Sequence, residues 1–193
     1  MRILPCLGIS ITALMFQGCA LLSQDEALWK SAVNRQSAQL GFRNWIVVAE
    51  ASFPAFSRTG VHQVPANVEI PEALDYVLQA IDQTQHVKPN IYITRELRSM
   101  SNDSAPGIDE LRERLETSLH GLENTSLEQD SLMTLLTDAN RSFDVLIIRT
   151  TSALPYGSVF IELQPGYWDA EAEQQLRERM ESERLKKIMP GQH

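Results

Sequence analysis

The stretch LGFRNWIVVAEASFPAFS, residues 40–57, decides how the rest of the chain is read. Leu40-Gly41 reads as a helix end, Trp45 through Ala49 as an apolar run with no polar alternation, and Glu50 as a carboxylate set where that run stops. A strand without alternation is covered on both faces, as central parallel strands are. In open α/β sheets, ligands bind beyond the carboxyl ends of such strands. Glu50 and the loop 51–60 are therefore expected to form one wall of a small-molecule site. The plainer alternative is a carboxylate that merely ends a strand at the surface.

Upstream of this stretch, Trp29, Ala32, Val33 and Leu40 recur at helical spacing, with Asp25 and Glu26 in the first turn. Gly41 is expected to stop that helix. Downstream, residues 51–68 hold Pro54, Gly60 and Pro65 without periodicity, which predicts an irregular surface loop. Pro71 opens a helix with Ile70, Leu74, Val77, Leu78 and Ile81 on one face, and a strand is expected over 90–94. Residues 99–107 are polar and turn-rich. Ile108, Leu111, Leu115, Leu119 and Leu122 mark another helix, and its charged run at 112–116 reads as a solvated face. Ser126 and Gln129 stand at capping-box spacing before a helix whose inner face is Leu132, Leu135, Leu136 and Ala139. Strands over 143–148 and 158–163 follow. A charged helix over 170–187, with Asp169 at its cap, completes a layered α/β pattern.

A length of 193 residues with 43% hydrophobic content suits one domain with a sizeable core. A net charge of -8 and the lack of any basic run argue against nucleic acid as a partner. No phosphate-cradling glycine loop, paired metal ligands or nucleophile elbow is present, so neither a metal nor a cofactor is expected. The histidines are scattered at 62, 86, 120 and 193, and only His62 lies in a loop that could reach Glu50.

After Arg2 comes an apolar run too short to span a bilayer, ending in Phe16-Gln17-Gly18-Cys19. That ending resembles a bacterial lipobox, with Gly18 and Cys19 matching and Phe16 and Gln17 departing from the usual residues. The resemblance implies a signal peptide over 1–18, a lipidated Cys19 and an envelope location. Ala20 after the cysteine points to the outer membrane, facing the periplasm. Cys6 would leave with the signal, so the mature domain would carry no thiol for a disulfide, a metal cage or a nucleophile. The expected division is 1–18 signal, 19–39 lipidated cysteine and N-terminal helix, 40–168 α/β domain, and 169–193 charged helix and tail.

Two motifs at opposite ends of the domain carry a further resemblance. Leu40-Gly41, then Ile46-Val47-Val48-Ala49-Glu50-Ala51-Ser52-Phe53-Pro54-Ala55, resembles the opening signature of the D-ribose pyranase and L-fucose mutarotase family. Ile148-Arg149-Thr150-Thr151, then Pro155-Tyr156-Gly157-Ser158 and a strand, resembles its closing segment. The resemblance implies an α/β/α domain, cofactor-free opening and reclosing of sugar rings, a monosaccharide partner and a homo-oligomer.

It also puts Glu50, Tyr156 and Ser158 at the family's substrate-binding positions, with Ser52 and Arg149 beside them. Phe42 stands where the family carries its acid–base histidine, and a phenyl ring can neither take nor give a proton. Catalysis would then fall to Glu50, His62 and Tyr156. The expectation is a monosaccharide-binding lipoprotein with ring-opening isomerase activity of altered chemistry. A carbohydrate-binding module without catalysis, or a structural lipoprotein retaining only the fold, are the alternatives.

Overall fold

All five residues of strand β1, Trp45–Ala49, are buried, as the missing alternation requires. The computed structural model describes residues 14–188. Around β1 the elements run α1 (Leu14–Gln39), β1, β2 (Val61–Pro65), α2 (Ile70–Asp82), β3 (Val87–Thr94), α3 (Arg95–Ser99) and α4 (Ile108–Ser118). They continue with β4 (Asn124–Leu127), α5 (Gln129–Ala139), β5 (Val145–Arg149), β6 (Val159–Pro165) and α6 (Ala170–Ile188).

The strands form one sheet in the order β2-β5-β1-β6-β3-β4. β5 is parallel to both β1 and β2, and β3 is parallel to β4, whereas β6 runs antiparallel to both its neighbours. Five strand carboxyl ends and the amino end of β6 therefore share one edge. Alternate residues of the central strands serve opposite faces, as the two-residue period of a strand dictates. Ile46, Val48, Leu146, Ile148 and Ile161 pack with Trp29, Val33, Leu74, Val77 and Leu115 of α1, α2 and α4. On the other face Val47, Val145, Ile147 and Phe160 meet Leu132 and Leu136 of α5. The fold is thus a layered α/β/α domain, with α6 projecting as a largely exposed helix.

Several local expectations are corrected. The loop expected over 51–68 contains β2, an edge strand with no fully buried residue, which pairs with β5 in register from Val61↔Val145 to Pro65↔Arg149. Ser126 and Gln129 do not form a capping box. Ser126 lies in β4, and the first N–H of α5, at Gln129, is taken by the Glu96 carboxylate at 3.0 and 3.2 Å. The strand expected over 90–94 starts at Val87 and runs through Pro89, which the ladder tolerates because β4 pairs only from Ile91 onward. α3 was not expected at all.

Gly41 is not the left-handed residue that turns the chain into β1. That position is Arg43, at φ 68°. Gly41 instead donates its N–H to Asn44 Oδ1 at 2.8 Å. The expected cap at Asp169 is present, Oδ1 accepting the Ala172 N–H at 2.7 Å. Most of the expected signal core, with Cys6, lies outside the described residues, and α1 runs from Leu14 through Cys19. Among the described residues no helix is long and apolar enough to cross a membrane.

Candidate functional site

Glu50 leaves β1 half-buried at the edge where the strand carboxyl ends gather, and three neighbouring segments fix it. Immediately before β6, the buried Ser158 hydroxyl accepts the Glu50 backbone N–H at 3.1 Å and donates to Glu50 Oε2 at 3.3 Å. Ser52, exposed on the following turn, donates to Oε1 at 3.2 Å. From the loop after β5, Thr150 donates both its N–H and its hydroxyl to Ala49 O, at 2.9 and 2.8 Å. The Ser152 carbonyl accepts the Ala51 N–H at 2.9 Å. The peptide on each side of Glu50 is therefore held by chain about a hundred residues later, which preorganises the carboxylate instead of leaving it on a mobile loop.

Arg149 ends β5 facing the same turn, with its guanidinium engaged by the protein. Nη1 donates to Ala51 O at 3.0 Å and Phe53 O at 2.5 Å, and Nη2 donates to Gln63 Oε1 at 3.1 Å. It straps the 51–53 turn to β2. Phe53, buried beneath the strap, packs on Phe160 with ring centroids 5.9 Å apart.

Tyr156 sits at φ 61°, a left-handed conformation that costs a non-glycine residue about 1–3 kcal/mol. Two features hold it there. Its carbonyl accepts the Thr94 hydroxyl at 2.6 Å, and its ring packs against the core on the α2 and α4 side. Gly157, next in line, owes its identity to packing: a Cβ would lie 2.9 Å from Leu111 Cδ2 and 3.2 Å from Ile70 Cδ1. The Tyr-Gly-Ser run thus brings β6 into the edge tightly enough for Ser158 to reach Glu50.

The structure brings Glu50, Ser52 and Ser158 together, with Arg149 one hydrogen bond away through the 51–53 backbone. His62 is set apart. It is exposed on edge strand β2, opposite Leu146 and three residues short of the strand end at Pro65, roughly 10 Å back along the strand. Phe42 is farther still. It precedes the amino end of β1, so the position resembling the family's histidine is at least about 17 Å from Glu50 within one chain. Thr150 enters the sequence reading only as part of the closing motif and Ser152 not at all, although a run of hydroxyl residues directly after a buried strand is the signal that could have found both.

No family model matches the chain, and no curated protein matches it either. Among solved structures it is similar to Bacillus subtilis RbsD complexed with D-ribose, at 20% identity, covering 68% of this chain and 90% of that one with a TM-score of 0.49. It is also similar to the Streptococcus pneumoniae fucose mutarotase in complex with L-fucose, at 20% identity, 66% and 87% coverage and a TM-score of 0.44. A third similar structure is FucU from Bifidobacterium longum, at 12% identity, 66% and 89% coverage and a TM-score of 0.40. Each of these likenesses is partial, with an identity of 20% or less and a TM-score below 0.5.

Proposed function

We propose that the chain binds a monosaccharide at the Glu50 edge. The observation that carries this reading is a carboxylate gripped on both oxygens by seryl hydroxyls yet only half-buried. A carboxylate offers about four acceptor sites, so roughly two remain to accept sugar hydroxyls. Each such charge-assisted bond is worth about 1.5–3 kcal/mol. The motif resemblance supports the same reading, since it puts Glu50, Tyr156 and Ser158 among the sugar-holding groups.

Ring opening needs one group to take the proton of the anomeric hydroxyl and another to give one to the ring oxygen. Glu50 is suited to the first task and the Tyr156 phenol to the second. Phe42 serves neither, and His62 is too distant within one chain. Isomerase activity of altered chemistry is the finer part of the proposal. A homo-oligomer, with residues 156–162 in its contact region by the motif resemblance, and a lipid on Cys19 that tethers the domain to the envelope membrane also belong to it.

Two-dimensional exchange NMR of D-ribose and L-fucose, with the full chain and with Glu50→Gln, tests the reading. Binding of either sugar weakened in the variant supports the site. If Glu50 is the base, the exchange rate falls by at least about a hundredfold while affinity falls by less than about tenfold. A binding module changes affinity alone. Failure of both sugars to bind the unaltered chain overturns the proposal.

A further inference from the structure

α1 enters the domain at the edge that bears Glu50. Its direction is fixed against α2: the Trp29 ring meets Tyr76 at a centroid distance of 5.1 Å, and the Leu40 carbonyl lies 3.0 Å from Nε2 of His86, in the turn that follows α2. Both helices therefore run from the Glu50 edge toward the edge where β1 begins. The first residue of α2 marks the Glu50 edge, since the Ile70 N–H is taken by Ser152 Oγ at 3.0 Å and the Ser152 carbonyl accepts the Ala51 N–H at 2.9 Å.

α1 does not begin at that edge. Trp29 is 2% exposed, whereas Glu26, Ala27 and Leu28 before it are all exposed, so packing on the domain ends there. Measured against α2, where Tyr76 follows Ile70 by about six residues, α1 draws level with the edge about six residues upstream of Trp29. Measured against β1, at about 3.3 Å per residue, it does so near Trp29 itself. Cys19, in the same helix, is therefore roughly 6–15 Å past the edge at 1.5 Å per residue.

A lipid on Cys19 would then hold the Glu50 edge toward the bilayer, with the edge that bears Phe42 and Tyr167 turned away. What stands opposite Glu50 in that pose is the headgroup layer. A net charge of -8 opposes approach to anionic lipid, while the unfilled acceptor sites of the Glu50 carboxylate suit hydroxyl donors. We propose that the ligand of the Glu50 edge is the neutral sugar headgroup of a glycolipid in the same bilayer that carries the chain. The inference rests on the sugar-binding reading of Glu50 and on the Cys19 tether. It does not need ring opening, because a sugar joined to lipid through its anomeric carbon has no anomeric hydroxyl to ionise. Confining site and headgroup to one surface raises the effective concentration of each for the other.

With Cys6 removed and Cys19 acylated, the tethered chain carries no other thiol, so one introduced cysteine reports position. Ala51→Cys, on the exposed turn beside Glu50, and Tyr167→Cys, 81% exposed at the opposite edge, are each labelled with bimane in phosphatidylcholine vesicles that contain nitroxide-headgroup lipid. The length of β1 puts position 167 about 17 Å farther from the headgroups, so quenching is expected to be at least about twofold stronger at 51. Galactosyl or fucosyl diacylglycerol added to nitroxide-free vesicles is then expected to shift the emission at 51 in a saturable way. Glu50→Gln should weaken that response by about tenfold or more, the size of one lost charge-assisted bond. Equal quenching at the two positions, while free ribose or fucose still binds, overturns this inference alone. A response to neither glycolipid overturns it too, as does a response that Glu50→Gln leaves intact. Mass spectrometry showing an unmodified Cys19 overturns it together with the tether, and sugar binding at Glu50 is then judged by the free sugars.

Discussion

Ser158 and Glu50, 108 residues apart, share one hydroxyl: Ser158 Oγ accepts the Glu50 N–H at 3.1 Å and donates to Oε2 at 3.3 Å. Ser158→Ala removes both bonds and leaves the Glu50 amide without its acceptor. A fully buried donor stripped of its partner costs about 1–3 kcal/mol, and this part-buried pair falls at the lower end of that range. Urea unfolding of the variant is expected to show a lowered midpoint with an unchanged slope. A midpoint equal to that of the parent would mean that water replaces the hydroxyl freely and that the carboxylate is not positioned by Ser158.

Glu96 closes the amino end of α5 from a different helix, both its oxygens within 3.2 Å of the Gln129 N–H. A carboxylate there satisfies an orphan donor and meets the positive end of the helix dipole. Glu96→Ala should cost about 1 kcal/mol, and Glu96→Gln less, since the amide oxygen can still accept. Thermal unfolding of the three proteins checks the order. Equal values for both variants would assign the effect to charge alone.

Tyr92 is the group through which alkaline pH should be felt. Burial, then the charge of Glu162 and the hydrogen bond to it at 3.2 Å, hold the phenol above its ordinary 10.0. A pKa raised by folding contributes stability that is fully present below about pH 10 and is lost as pH rises through the raised value. Tyr92→Phe keeps the ring on Trp45, whose centroid is 5.5 Å away, but has no proton to lose. The decline of stability above pH 10 should therefore be shallower in the variant when urea midpoints are compared across that range. Identical alkaline slopes would remove Tyr92 from the account.

The parts of this fold that can be read from sequence are those whose cause is local. β1 announces itself because burial on both faces removes polar alternation, and the α6 cap does so because Asp169 sits three residues from the N–H it accepts. β2 and β4 do not, since edge strands of VHQVP and NTSL have neither an apolar run nor clean alternation and exist only through pairing with β5 and β3. The cap of α5 is hidden for a similar reason, because it arrives from Glu96, 33 residues away.

The site divides along the same line. Glu50 is marked by its place after a buried strand, and the closing motif marks Tyr156 and Ser158. That Arg149 would be spent on two carbonyls and Gln63 depends on how the 51–53 turn folds back, which spacing does not encode. Likewise Phe42 and Glu50 are neighbours in the motif, yet an intervening extended strand puts them at opposite edges of the sheet.

β6 joins β1 to β3, and no other strand bridges the two parts of the sheet, β2-β5-β1 on one side and β3-β4 on the other. During synthesis the bridging strand emerges last. Until residues 159–165 are available, β1 and β3 each present an unpaired edge, the kind of surface that recruits strands from other chains. A chain shortened before Val159 would therefore be two half-sheets without a seam, prone to association in a way the finished protein is not. Because β1 waits for partners about a hundred residues downstream, its assembly is intrinsically slow. The order in which ribosome and chain deliver the strands thus sets a window of vulnerability that closes only when β6 arrives.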